Sequence, residues 1–286
     1  MIYDAEDIPE PMQLRKAVAR FEAEPELACL QAPLNYYNRN ETLLTELFAI
    51  EYGTLFRMQL PALERLGLPI PLGGTSNHIR MDVLIEACGW DAFNVTEDAD
   101  LGVRLSYFGK KVRVLDSITM EEAPITLHAW LKQRSRWIKG YIQTWLVYMR
   151  NPKALRSALG STAYYGFQFF VGAPALTFLM APLFWGVFIA ALMGAFTLYI
   201  PIWLNISCIA CLIWGIYSQW LYAKACLIVH GWPGMRRAAT IFPFYWVLHT
   251  VASFMALAEI LWRPHYWRKT SHGVSRMLPE KIPTRA

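Results

Sequence analysis

The chain has 286 residues, of which 55% are apolar and 14% aromatic, and its formal net charge is +5. This apolar content excludes a wholly soluble domain of ordinary composition. Much of the basic excess lies at residues 132–139, 150–156 and 263–269, which flank apolar segments. That placement is typical of contact with anionic lipid, so we expect a membrane as partner and no nucleic acid.

The charged residues divide the chain into two parts. Residues 157–223 contain no Asp, Glu, Lys or Arg, whereas residues 1–156 have a mixed composition. We therefore predict a soluble domain at 1–156, a membrane region at 157–262, and a cytoplasmic loop and tail at 263–286. Because Met1 is followed by acids instead of a basic and then apolar signal peptide, we expect the soluble domain to stay in the cytoplasm.

Helical and strand patterns alternate along the soluble domain, which indicates an α/β fold. The first helix places Leu14, Val18 and Phe21 on one apolar face, which predicts that this face is buried. Only two or three strands are recognisable, about half of what a sheet covered by helices needs. Helices are predicted at 11–21, 42–58, 83–88, 96–109 and 125–149, and strands at 27–32 and 111–116, with a Gly-rich turn before residue 76.

The first polar motif is Thr96-Glu97-Asp98 at the start of a helix. Thr accepts hydrogen bonds from the backbone N–H groups of a first helical turn, and acids suit the positive end of the helix dipole. Capping alone explains such an acid pair about as well as a catalytic site does, so both interpretations stay open at this point.

The long helix at 125–149 carries the second motif. Gln133, Arg136, Trp137 and Gly140 fall at i, i+3, i+4 and i+7, so they share one face. One interpretation is a basic amphipathic helix on a membrane surface. Another is a sugar-diphosphate site, because Arg forms paired bonds to phosphate and the flat Trp ring suits a sugar face.

Three apolar segments follow. Residues 165–199 predict one kinked span, or a short interfacial helix followed by a span, with Pro174 and Pro182 as break points. Residues 202–226 predict a second span. Residues 241–262 contain several polar side chains, and counting them as a third span would put the basic residues 263–269 outside the cell. The positive-inside rule therefore favours two spans and an interfacial helix at 241–262.

Four stretches together make a resemblance specific. "YDAED", "LGGTSNHIR", "VTEDADLGVRL" and "QRSRW" occur in the order and spacing of the family 2 processive glycosyltransferases, and the chain resembles their cellulose-synthase-like members. The resemblance implies the C-terminal half of a GT-A-type nucleotide-sugar domain followed by transmembrane helices. It also implies a multi-pass enzyme of the inner (plasma) membrane that uses a UDP-sugar donor and a polysaccharide acceptor.

The resemblance assigns roles to particular residues. Asp98 would be the general base beside Glu97, and Gln133 with Arg136 would hold the leaving pyrophosphate. Trp137 would stack on the acceptor sugar. The other implied residues are Asp4 and Glu6 for Mg²⁺ or Mn²⁺, Gly73, Gly74 and Thr75 on the acceptor side, and Lys269 and Thr270 for the nucleotide.

A different class of function stays open beside the enzyme. The low strand count suits a non-catalytic membrane subunit, or an inactive fragment of such an enzyme, whereas a small transporter is disfavoured because paired charges are missing from the apolar segments. The family has uridine-binding strands before the position of "YDAED". We therefore expect a polypeptide that supplies this N-terminal half, and activity only when it is present.

Overall fold

The protein is described by a computed structural model over residues 1–193, 201–266 and 273–277. Short strands and helices form an α/β part, and long helices follow it. The strands are β1 (Ile8–Pro9), β2 (Leu27–Gln31), β3 (Leu34–Tyr36), β4 (Asn77–Ile79), β5 (Lys111–Val114) and β6 (Thr119–Glu121). The helices are α1 (Gln13–Ala23), α2 (Leu43–Thr54), α3 (Leu60–Arg65), α4 (Met81–Glu86), α5 (Glu97–Tyr107), α6 (Leu127–Tyr148), α7 (Pro152–Phe167), α8 (Ala173–Leu192), α9 (Ile202–His230) and α10 (Arg236–Trp262).

The strands form two three-stranded sheets of mixed direction. In one sheet β2 is central, with β4 antiparallel and β5 parallel to it, and in the other β6 is central, with β1 antiparallel and β3 parallel. The predicted α/β fold is confirmed, but the expected strand count was too low. Strands β1, β3, β4 and β6 are two or three residues long, which is too short for an alternating pattern to appear in the sequence.

Helix α1 buries a different face from the one predicted. Leu14 and Val18 are 49% and 48% exposed, whereas Gln13 and Ala17 are buried. The Gln13 amide donates to Ser117 and Thr119, which belong to the β6 region. Hydrogen bonds of the buried Gln13 side chain therefore help to determine which face of α1 packs against the protein. A buried polar residue does not appear in a search for apolar periodicity.

Helices α2 and α6 supply much of the core behind the site. Helix α2 begins at a reciprocal cap between Thr42 and Thr45, and it continues through one π turn, Leu55–Gln59, into α3. Helix α6 begins at Thr126, whose hydroxyl accepts from the N–H of Ala129. These ends agree within a few residues with the helices predicted at 42–58 and 125–149.

Among the described residues, three helical segments are long and apolar enough to cross a membrane: Pro152–Ala190, Ile202–His230 and Pro233–Trp262. The first is bent at Gly160, where φ is +78°, and at a π turn at Gln168–Gly172. Pro182 instead lies inside α8. Of the two predicted break points, Pro174 follows the π turn by two residues, whereas the bend at Gly160 has no proline beside it. The predicted first span runs to residue 199, and residues 194–199 lie outside the described residues.

Helix α10 differs from the other two apolar segments in its surroundings. A third of its apolar window (33%) is buried within the protein, against 6% and 0% for the first and second segments. It packs on α2, α6, α8 and α9, and small residues such as Ala252 and Ala256 are fully buried at these contacts. It is therefore a bridge between the α/β part and the apolar helices.

Candidate active site

The two predicted motifs meet where α5 begins. Gly140 of α6 faces Thr96, and a Cβ placed at Gly140 would overlap the Thr96 side chain. Thr96 is the N-cap residue of α5, yet its side chain makes no capping hydrogen bond. Thr96 therefore serves as a packing surface for α6, which differs from the capping role considered from the sequence.

Asp98 lies in the first turn of α5 and points toward the Gly-rich loop. A Cβ placed at Gly74 would lie 3.3 Å from Oδ2 of Asp98. The pKa of Asp98 is raised to about 7: burial raises it most and Glu97 adds to the rise, whereas the N–H of Ala99 and the Arg136 guanidinium lower it. The carboxyl group therefore titrates near neutral pH, which is the range in which a general base works best.

Arg136 links Asp98 to the N-terminal acids. Burial lowers the pKa of Arg136, while the nearby charges of Asp98, Glu97 and Asp4 raise it. One guanidinium thus lies in the field of carboxylates from both α5 and the N-terminal turn. A cation held among acids in this way is suited to a bound diphosphate, whose charge it balances.

Gln133 lies one turn before Arg136 and Trp137 on α6. Its side chain is 9% exposed, and its Oε1 has no hydrogen-bond partner among the described residues. A buried carbonyl oxygen without a donor is costly, so its place in a polar site favours pairing with a bound molecule.

Trp137 sits on an aromatic base formed by α2. Its ring stacks on Phe48 with centroids 6.1 Å apart and an interplanar angle of 18°, and it lies 5.7 Å from the Tyr52 ring. The guanidinium of Arg134 lies 4.6 Å from the same indole. The indole is thus held by its neighbours rather than left to rotate freely.

The N-terminal acids form a closed turn. The carboxylate of Asp7 accepts from the N–H of Asp4 at 2.9 Å and from the hydroxyl of Thr75. Asp4 and Glu6 are exposed. Thr75 therefore joins the "GGT" loop to the acid turn, so two sequence motifs that are 68 residues apart become one feature.

Two further residues of this region were not predicted from the sequence. The amide of Gln31, at the end of β2, accepts from the N–H of Gly73 at 2.7 Å and donates to the carbonyl of Thr75 at 3.0 Å. Burial, and then the charges of Asp7, Asp4 and Glu6, raise the pKa of Glu121 well above its usual range. Neither residue belongs to a recognisable motif, because each is placed here by sheet pairing.

A divalent cation fits the chemistry of the acid turn. Asp4 and Glu6 offer hard carboxylate oxygens, and Oδ1 of Asp7 is buried with no hydrogen-bond partner among the described residues. Within residues 1–193, 201–266 and 273–277, no three metal-binding side chains converge. Mg²⁺ binds in many proteins through one or two carboxylates and completes its shell with water and substrate phosphates.

The predicted nucleotide contacts Lys269 and Thr270 lie outside the described residues. The segment just before them leaves α10 beside the site. Nζ of Lys139 donates to the carbonyl of Tyr266 at 2.6 Å, and Nδ1 of His265 lies 2.9 Å from the carbonyl oxygen of Phe93. Residues 263–266 are thus fixed to α6 and to the loop that leads into Thr96-Glu97-Asp98.

Comparison with known sequences shows which proteins this chain resembles. The family model "Glycosyl transferase family group 2" matches residues 1–262. Glucomannan 4-beta-mannosyltransferase 2 and probable glucomannan 4-beta-mannosyltransferase 10, both of Arabidopsis thaliana, are 30% identical over 141 residues. Probable glucomannan 4-beta-mannosyltransferase 9 of Oryza sativa subsp. japonica is 29% identical over 140 residues.

These matches cover 49% of this chain and only 26% or 27% of each relative. The curated relatives are thus much longer than the stretch they share with this chain. The family model, by contrast, extends over both the α/β part and the three apolar helices. The chain belongs to glycosyl transferase family group 2.

Proposed function

We propose that this protein is an inverting hexosyltransferase that moves a sugar from a UDP-sugar to a growing polysaccharide, and does so repeatedly on one chain. The observation that carries the proposal is the Asp98 carboxyl, whose pKa is about 7, beside Arg136 and the Gly-rich loop. A base poised at neutral pH next to a diphosphate-binding cation matches the needs of glycosyl transfer.

Asp98 accepts the proton of the acceptor hydroxyl. The hydroxyl oxygen attacks the anomeric carbon while the bond from that carbon to the diphosphate oxygen breaks on the opposite face. One displacement inverts the configuration and needs no covalent enzyme intermediate. A Cβ placed at Gly74 would lie 3.3 Å from Oδ2 of Asp98. Because glycine has no side chain, this position is open to the acceptor hydroxyl.

Arg136 and Gln133 stabilise the leaving diphosphate. Negative charge grows on the diphosphate as the glycosidic bond breaks, and a fixed guanidinium lowers the energy of that state. The Gln133 amide nitrogen donates to a phosphate oxygen, while its unpartnered Oε1 accepts from a sugar hydroxyl. Asp4 and Glu6 would hold the divalent cation, Mg²⁺ or Mn²⁺, which neutralises the diphosphate when bound.

Trp137 supports the acceptor sugar by stacking, with Gly73, Gly74 and Thr75 lining the other side. The relatives are named as glucomannan 4-beta-mannosyltransferases. This favours a hexose of the mannose or glucose type as the transferred sugar and a β-linked polysaccharide as the acceptor.

We further propose that residues 1–156 face the cytoplasm of the inner membrane, with two spans and α10 along the interface. Both ends of α10 support this arrangement. Arg39 lies over the Trp232 ring at 5.4 Å just before α10, and Lys139 holds Tyr266 just after it. Arg39 and Lys139 belong to the same α/β part, so a helix with both ends on that part has no need to cross a bilayer core of about 30 Å.

The test is release of nucleoside diphosphate by membranes that contain the protein together with a polypeptide that supplies the uridine-binding strands. Radiolabelled UDP-glucose, UDP-N-acetylglucosamine and GDP-mannose would each be supplied with Mg²⁺ or Mn²⁺. We expect release with one of the UDP-sugars and a loss of roughly 100-fold or more in Asp98→Asn, since the base is removed. Release from GDP-mannose alone would refute the UDP-sugar part of the proposal. Asp116→Asn is the control, because Asp116 is exposed (94%) and pairs only at the surface with Arg57. Equal rates in Asp98→Asn and wild type would refute the proposal and favour a non-catalytic membrane subunit.

A further inference from the structure

A buried ionic network lies beneath the candidate site. The Glu51 carboxylate on α2 accepts from Arg134 of α6 at 2.6 Å and from the hydroxyl of Tyr245 of α10 at 2.8 Å. Nε2 of His249, also on α10, lies 3.3 Å from its other oxygen. The Tyr245 hydroxyl in turn accepts from the indole N–H of Trp130 at 2.7 Å. One carboxylate therefore joins three helices.

Arg134 contacts the protein itself. Its residue is 8% exposed, one terminal guanidinium nitrogen donates to Glu51, and its Nε has no hydrogen-bond partner among the described residues. The rest of the guanidinium is surrounded by aromatic rings, with centroids of Trp137 at 4.6 Å and of Trp130 and Phe48 at 5.3 Å. These distances are in the range of favourable cation–π contact. The guanidinium of Arg134 thus interacts with the Glu51 carboxylate and with the three aromatic rings.

Of the three aromatic rings around Arg134, the ring of Trp137, the candidate support of the acceptor sugar, lies nearest to the guanidinium. Burial alone would raise the pKa of Glu51, yet the charges of Arg134 and His249 hold it below its usual value, so the pair stays ionised. A buried ion pair is weak as a stabiliser, but it defines one arrangement of its neighbours. Here the Arg134–Glu51 pair fixes the position of the guanidinium, and the guanidinium in turn fixes the position of the Trp137 indole.

We infer that Arg134 is a positioning residue that holds Trp137 for the acceptor sugar, and that Glu51 ties this arrangement to α10. The inference rests on the proposed function. Lysine at 134 would keep the charge but lose the flat group that contacts three rings. Removal of the Tyr245 hydroxyl would leave the Arg134–Glu51 ion pair and the His249 contact in place. It would remove one of the two contacts from α10 to Glu51 and the acceptor of the Trp130 indole N–H.

The experiment separates acceptor use from donor use. Wild type, Arg134→Lys, Tyr245→Phe and the control Arg57→Lys would be purified in lipid nanodiscs. Nucleoside diphosphate release from GDP-mannose and UDP-glucose would be measured with water as the acceptor, and then with increasing mannohexaose or cellohexaose. Arg57 forms an exposed ion pair with Asp116. The polypeptide that supplies the uridine-binding strands is present in every sample.

We expect Arg134→Lys to raise the KM for the oligosaccharide roughly tenfold, because a small misplacement of an acceptor support is costly. Tyr245→Phe should raise it roughly threefold, because the hydrogen bonds to Glu51 and from Trp130 are lost while the Arg134–Glu51 ion pair remains. Release with water should change less than twofold in both, and Arg57→Lys should match wild type.

An equal fall of both activities in Arg134→Lys and Tyr245→Phe would overturn the inference, because it would show a general structural role. An unchanged oligosaccharide KM in both variants would overturn it as well. The proposed function fails in a distinguishable way, namely if wild type releases no nucleoside diphosphate from any donor.

Discussion

Gly140 of α6 and Thr96 of α5 pack without an intervening side chain, and this contact joins the two motifs of the site. We expect Gly140→Ala to destabilise the protein by about 1–3 kcal/mol, because the added methyl group meets the Thr96 side chain. We also expect the rate of glycosyl transfer to fall roughly tenfold or more, since Asp98 and Arg136 would move apart. Thermal unfolding and nucleotide release would be measured together. Gly234→Ala is the control, because a Cβ there meets nothing within 4 Å.

The pH profile of the reaction should report Asp98. Its pKa is about 7, and only the ionised carboxylate accepts the acceptor proton. We therefore expect kcat/KM to rise with pH and to level off above about 7. Glu97→Gln should shift the midpoint to lower pH, because Glu97 raises the pKa of Asp98. A profile that is flat between pH 5 and 8 would contradict the assignment of the base.

The same carboxyl should affect folding stability. Its pKa is 3.8 as an ordinary Asp and about 7 in the folded protein, so the folded state binds a proton that the unfolded state does not hold between these values. Stability contributed by this group is present below about pH 4 and is lost as pH rises to about 7, with an upper bound of roughly 4 kcal/mol. We expect Asp98→Asn to be more stable than wild type at pH 8 and similar at pH 4. Thermal unfolding at both values checks this.

The hydroxyl of Thr75 should matter for the acid turn. Because it donates to Asp7, Thr75→Val should loosen the turn that presents Asp4 and Glu6, whereas Thr75→Ser keeps the donor. We expect Thr75→Val to weaken Mn²⁺ binding roughly tenfold, in line with losses at outer partners of metal ligands. Electron paramagnetic resonance of added Mn²⁺ measures this without any turnover. Equal affinity in Thr75→Val and Thr75→Ser would show that the hydroxyl has no such role.

The sequence predicted the helices and motifs that lie within single segments, but not the site residues that are positioned by pairing between distant strands. The helices that carry Asp98 and Gln133 were predicted because caps, periodicity and motifs lie within single segments. Gln31 and Glu121 were missed, since they reach the site through β2 and β6, whose neighbours are distant in sequence. Arg134 lies inside the "QRSRW" motif, yet only the structure shows it paired with Glu51.

The placement of α10 gives a prediction about topology. His230 approaches the carbonyl oxygen of Gly53 at 3.4 Å near one end of the helix, and His265 approaches that of Phe93 at 2.9 Å near the other. If α10 lies along the interface, single cysteines at Gly234 and His265 should both react with a membrane-impermeant thiol reagent from the cytoplasmic side. A cysteine at Pro201, between the two proposed spans, should react only from the opposite side. These labels would be placed in a chain whose five native cysteines are replaced. Reaction of the Gly234 and His265 positions from opposite sides would show that α10 crosses the membrane.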